Sequence, residues 1–148
     1  MKKQKENIWK DRPALVFACS GASNVGEIAD LAARRLFRDG SVVMSCPSAV
    51  SGRIKSQIER IQKASQVIVL DGCEKDCVHR TLINAGFGSY AHIRLNDLGL
   101  IKGGARVDEE AVDKVVRHTK CILKTSSLWR DVFSFRYDPS KADRLASE

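Results

Sequence analysis

Four cysteines recur at a spacing that suits thiolate chemistry. Cys19 and Cys46 stand 27 positions apart, Cys46 and Cys73 are again 27 apart, and Cys77 completes a C-x3-C step. A cysteine of this kind can ligate a metal, do redox or nucleophilic work as a thiolate, or simply pack as a small apolar side chain. Four thiolates drawn together repel one another unless a cation neutralises them, so their convergence predicts a bound metal. Tetrahedral zinc, with bonds of about 2.3 Å to sulfur, needs sulfurs about 3.8 Å apart. Cys19, Cys46, Cys73 and Cys77 are therefore the expected zinc ligands. An iron–sulfur cluster also satisfies four cysteines and ranks behind zinc. The alternative is a thiol-dependent redox enzyme or cysteine-nucleophile enzyme, with Cys19 attacking and another cysteine resolving the product.

The elements around these cysteines explain how such distant positions could meet. Ala14–Ala18 (ALVFA), Ser41–Ser45 (SVVMS) and Gln66–Leu70 (QVIVL) are short apolar runs of strand character, and each leads into a cysteine. A turn-rich segment and a helical pattern follow each one. Ser23 or Asn24 caps Gly26–Arg38, with Ile28, Leu31, Ala32 and Leu36 on one face. Ser51 or Gly52 precedes Arg53–Lys63, with Ile54, Ile58 and Ile61 aligned. Asp76 precedes Cys77–Ala85, with Val78, Leu82 and Ala85 aligned and Gly86 as the stop.

Strand, cysteine loop and helix thus repeat three times. A fourth strand over Ala91–Leu95 and a last helix over Asp108–Lys124 complete the pattern, the helix showing Val112, Val115, Val116 and Leu123 on its apolar face. This predicts an α/β fold: a small doubly wound, Rossmann-like sheet of about four parallel strands with flanking helices. In such a sheet ligands bind at the carboxyl ends of the strands, which is where Cys19, Cys46 and Cys73 fall. Neighbouring strands lie about 4.8 Å apart, close to the sulfur spacing a metal needs. Cys77 joins them one helical turn beyond Cys73.

Other residues read more modestly. Ser20, Gly21, Ser23 and Asn24 lie in a small-residue turn before a helix, a place where a small anionic ligand could sit, although a tight turn with a cap explains the same residues. The turn is neither a P-loop nor a G-x-G-x-x-G. Cys46 with Arg53 and Cys73 with Arg80 are both C-x6-R, out of register for a C-x5-R phosphate cradle. His79 reads as a solvated helix residue, with a spare ligand or a proton carrier near the site as alternatives, His92 and His118 as structural, and Cys121 as core. Asp71 is expected either to orient a loop amide or to support Cys73 from behind.

Charge and composition narrow the class. The chain has 148 residues and a net charge of +7. Its first twelve residues carry five basic and two acidic side chains, and no basic stripe interleaved with aromatics appears. That argues against specific nucleic-acid binding. No apolar run is long enough to cross a membrane, and the odd count of five cysteines without a secretion signal suits a reducing, cytoplasmic setting. The expected organisation is a charged segment over 1–13, a metal-binding domain over 14–124 and a tail over 125–148. The tail's Trp129, Val132, Phe133, Phe135 and Tyr137 suit packing on the domain or a homo-oligomer contact.

The motifs also resemble a family. FACSGASNVGEIAD, SCPSAVSGRIKS, the Asp71-Gly72-Cys73 triplet within DGCEKDC, and HIRLNDLGLIKG occur in that order. Together, across Ala14–Gly103, they are similar to the DGC-domain proteins, a group associated with zinc. The resemblance implies zinc at Cys19, Cys46, Cys73 and Cys77 and supplies no biochemical role.

Overall fold

The computed structural model describes residues 12–126. Four strands form one sheet: β1 (Ala14–Ala18), β2 (Val43–Ser45), β3 (Gln66–Asp71) and β4 (Ala91–Arg94). Their order is β2-β1-β3-β4, and every neighbouring pair is parallel. The connections are α1 (Asn24–Arg38), the short α2 (Pro47–Ser51), α3 (Lys55–Lys63) and α4 (Cys77–Asn84). A 3-10 turn over Leu95–Leu98 follows β4, and α5 (Glu109–Ser126) closes the described chain.

The central strands are apolar along their length because both faces are covered. Val16, Ala18, Ile68, Leu70 and Ile93 pack with Ile28, Ala32 and Leu36 of α1 and Val112, Val115 and Val116 of α5. Leu15, Phe17, Val67 and Val69 pack on the other face with Val50 of α2, Ile61 of α3 and Val78 and Leu82 of α4. The chain steps outward from β1 to β2, then returns past β1 to build β3 and β4. Right-handed crossovers taken in opposite directions require helices on opposite faces, and α1 accordingly lies opposite α2–α4. The reversal places a topological switch point between β1 and β3, directly beneath the loops that carry Cys19 and Cys73.

Apart from shifted element ends and Leu31, expected on the apolar face of α1 but exposed, the predicted pattern differs from the structure in four places. First, Cys46 acts as N-cap for α2, a separate turn of helix with Pro47 in its opening positions. Proline suits that position because its missing N–H has no helical partner there. Second, α3 begins at Lys55, because Arg53 takes a left-handed φ of 52° and interrupts any helix starting there. Ile54 is consequently exposed, while Ile61 is fully buried. Third, Cys121 is exposed and not core. The buried stripe of α5 runs through Val112, Val115, Val116 and Thr119, and two residues further on is about 200° around the helix. Fourth, His79 is half-buried and bonded rather than solvated. The aromatic residues read as packing tail lie outside the described residues, as does nearly all of the charged N-terminal segment.

Among the described residues, no helix is long and apolar enough to cross a membrane.

Candidate functional site

The sheet order sets the cysteines side by side. Cys46, Cys19 and Cys73 follow β2, β1 and β3, three neighbouring strands, and Cys77 is the first residue of α4. Cys19 extends the β1–β3 ladder by one bond, its amide donating to the Leu70 carbonyl at 2.8 Å. Cys73 is buried in the core beneath α1, Cys19 is half-buried, and Cys46 and Cys77 are exposed.

Two close backbone approaches draw the Cys19 and Cys73 loops together. A Cβ on Gly72 would stand 3.0 Å from the amide of Gly26 and the carbonyl carbon of Val25. A Cβ on Gly26 would stand 2.8 Å from the carbonyl oxygen of Gly21. Glycine at both positions lets the β3–α4 loop rest on the start of α1, and the start of α1 rest on the loop after Cys19. Ser23 caps α1, its hydroxyl accepting from the Gly26 amide at 3.2 Å. The Asn24 side chain donates to the Ala105 carbonyl at 2.6 Å and accepts from the Gly103 amide at 2.9 Å. Ser23 and Asn24 of the candidate anion loop are thus engaged within the protein, one as a cap and one as a staple for the Ile101–Ala105 loop.

On the other side of Cys73, Asp71 organises the start of α4. It is almost fully buried. Its carboxylate accepts from the amides of Val78 at 2.9 Å and His79 at 3.0 Å, and bonds the His92 Nε2 at 2.9 Å. Val78 and His79 are the second and third residues of α4, whose amides an N-cap side chain would ordinarily satisfy. The N-cap here is Asp76, which makes no such bond. Asp76 sits in the left-handed region, φ 53° and ψ 43°, a conformation costing a non-glycine residue about 1–2 kcal/mol. Its carboxylate turns instead to the Arg94 guanidinium, with bonds of 2.7 and 2.5 Å. That fork, with the charges of His92 and His79, outweighs partial burial and holds the Asp76 carboxyl below the usual range.

His92 and Arg94 alternate along β4 and so share a face, opposite Val69 and Asp71 respectively. His79 stacks on His92 with ring centroids 4.6 Å apart. The Tyr90 hydroxyl lies 2.9 Å from His79 Nδ1 and donates to the His79 carbonyl at 3.2 Å. Both bonds form together when Nδ1 carries the imidazole proton. Of these residues, Asp71, expected to orient a loop amide, instead accepts from two amides in the first turn of α4. Arg94 and Tyr90 are additions of the structure, as are the bonded roles of His79 and Asp76. The alternation of His92 and Arg94 at a strand's carboxyl end was the available signal.

The metal-binding capacity of the region divides in two. Among the described residues, Asp71, Asp76 and His92 bring ligand atoms within 4.8 Å of one another, while no three of the cysteine sulfurs form such a group. The first three are already committed to the α4 amides, to Arg94 and to each other, so a cation there would have to displace internal bonds. The thiols have no such commitments. Burial pushes the Cys77 thiol up although the residue as a whole is exposed, and Cys19, Asp71 and Cys73 push it further. The lowering expected of a cysteine at a helix start is overridden by burial first and by these neighbours second. Cys77 therefore feels Cys19 and Cys73 electrostatically. The donor set fits a soft divalent ion, and a shared site would bring the four sulfurs closer than they stand here.

The comparisons agree with the motif order. The chain is 36% identical over 88 residues to the anaerobic and virulence modulator AnvM of Pseudomonas aeruginosa, a match covering 60% of this chain and 67% of that protein. No solved structure matches it significantly. Residues 15–119, well over half of the chain, match the DGC domain, and the protein belongs to the DGC-domain family.

Proposed function

We infer that this protein holds one zinc ion through Cys19, Cys46, Cys73 and Cys77 and serves a sensing, structural or metal-handling role in the cytoplasm. The observation that carries this reading is the strand order. It sets three of the cysteines on consecutive strand ends and the fourth at the start of the next helix, at the switch point where α/β sheets bind ligands. Four protein ligands close a tetrahedral sphere, which disfavours direct Lewis-acid catalysis and favours a regulatory or structural ion. The relative's name describes a modulator, which supports a regulatory use in this chain too.

Metal analysis of protein purified without added zinc tests the reading. We expect about one zinc per chain, lost on Cys→Ser substitution at any of the four positions. Visible absorption with bound iron would replace zinc by an iron–sulfur cluster. No metal at all, with one thiol alkylating far faster than the rest, would sink the reading in favour of cysteine-nucleophile chemistry at Cys19.

A further inference from the structure

We propose that Asp71 and His92 act as a positioning pair for the thiolate site, setting Cys77 in place before any ion arrives. The pair touches no expected ligand directly. It acts through the backbone that carries one.

Asp76, the residue that should cap α4, is occupied by Arg94, so the first turn of the helix has no local cap. Asp71 supplies it from the preceding strand, seven and eight residues back, by accepting from Val78 and His79. Cys77 lies between the Asp76–Arg94 fork and the capped amides, so both of its flanks are fixed. His92 bonds the same Asp71 oxygen that accepts from His79. The imidazole is four-fifths buried and stacked on His79, so its ring cannot swing away without breaking that stack. His92 thereby fixes the carboxylate's rotation, and the carboxylate fixes the helix start. β3, β4 and α4 are joined at one side chain, which stands two residues before Cys73 and six before Cys77.

The inference rests on the zinc reading above, and the test separates the two. Asp71→Asn keeps the shape but cannot accept both amides and the imidazole at once. His92→Phe keeps the stacked ring but loses the bond, whereas His92→Gln retains a donor. Leu36→Ala, in the core on the opposite face, serves as a destabilised control. Zinc release to a chromophoric chelator should be about 10–100-fold faster in Asp71→Asn and His92→Phe, with His92→Gln recovering most of the loss. Far-UV circular dichroism confirms that each variant is folded. Equal release rates for Asp71→Asn and wild type, or equal acceleration in Leu36→Ala, overturn the proposal. Amide exchange at Val78 and His79 in metal-free protein gives a second reading. Faster exchange confined to these amides in Asp71→Asn upholds the cap even if the wild type proves to hold no zinc, in which case only the zinc reading falls. Unchanged exchange overturns the cap whatever the metal content.

Discussion

At the scale of single residues, Asp71, Asp76, His79, Tyr90, His92 and Arg94 satisfy one another at the carboxyl ends of β3 and β4. Arg94 and Asp76 illustrate how closely the set is matched. The guanidinium fork holds a carboxylate on a left-handed residue, and lysine cannot reproduce two parallel bonds. Arg94→Lys should lower the midpoint of urea unfolding with the slope unchanged, because part of the Asp76 carboxylate loses its partner. Tyr90 offers a different test. Burial pushes its phenol well up, and Asp71 and Asp76 push it further. The folded state therefore keeps a proton that the unfolded state releases near pH ~10. Stability from this group is full below that pH and is lost as the pH rises toward the folded value. Phenolate absorbance should show a late step coincident with alkaline unfolding, and Tyr90→Phe should remove it.

At the scale of elements, the start of α1 matters most. Helix propensity alone makes Ala better than Gly at position 26 by about 1 kcal/mol. The added methyl would meet the Gly21 carbonyl oxygen at 2.8 Å, a backbone atom in the loop that follows Cys19. Overpacking of this kind costs about 1–3 kcal/mol, and here it strikes a loop tied down by the Ser23 cap. Gly26→Ala is therefore expected to destabilise despite the propensity gain, and to loosen metal retention as the Cys19 loop shifts. A rise in melting temperature would show that the loop gives way without cost. Gly26 lets the loop after Cys19 lie on the start of α1, and Gly72 lets the Cys73 loop lie on that same helix start.

At the scale of the whole molecule, the proposed ligands follow three neighbouring strands and open one helix, so the ion would tie the sheet together. Free zinc at about 1,000 times its Kd would add roughly 4 kcal/mol to folding. Chelation should then lower the melting temperature by roughly ten degrees, at about 2–4 °C per kcal/mol for a chain of about 150 residues. An unchanged transition would mean that the ion does not bridge the sheet. The far face is held differently. Arg35 of α1 pairs with Glu109 and Asp113 of α5, and Lys120 reaches Asp39 at 2.5 Å. Burial alone would raise the Asp39 carboxyl, but Lys120 and the Ser41 hydroxyl and amide together hold it low. Its contribution is complete above pH ~4 and fades as the pH falls through the folded value. Lys120→Met should lower stability at neutral pH by at most about 1 kcal/mol, the range for exposed pairs, and flatten the acid limb by the same amount, so that variant and wild type converge at low pH.

The sequence by itself determined the α/β class, the strand and helix succession and the candidate ligands. Those follow from local periodicity, from β-branched runs and from cysteines placed at the end of each run. The first strand, the first helix and the buried faces of the fourth and fifth helices could be read from it almost to the residue. The separate α2 turn and the exposure of Cys121 were lost because proline at a helix start and the angular offset along α5 matter only once the packing partner is known. Tertiary structure alone decided which strands are neighbours, and so that Cys46, Cys19 and Cys73 stand in line. It also decided that Asp71 caps a helix which its own N-cap residue leaves open. Pairing across tens of residues is set by how two faces bury together, and no local pattern carries that information.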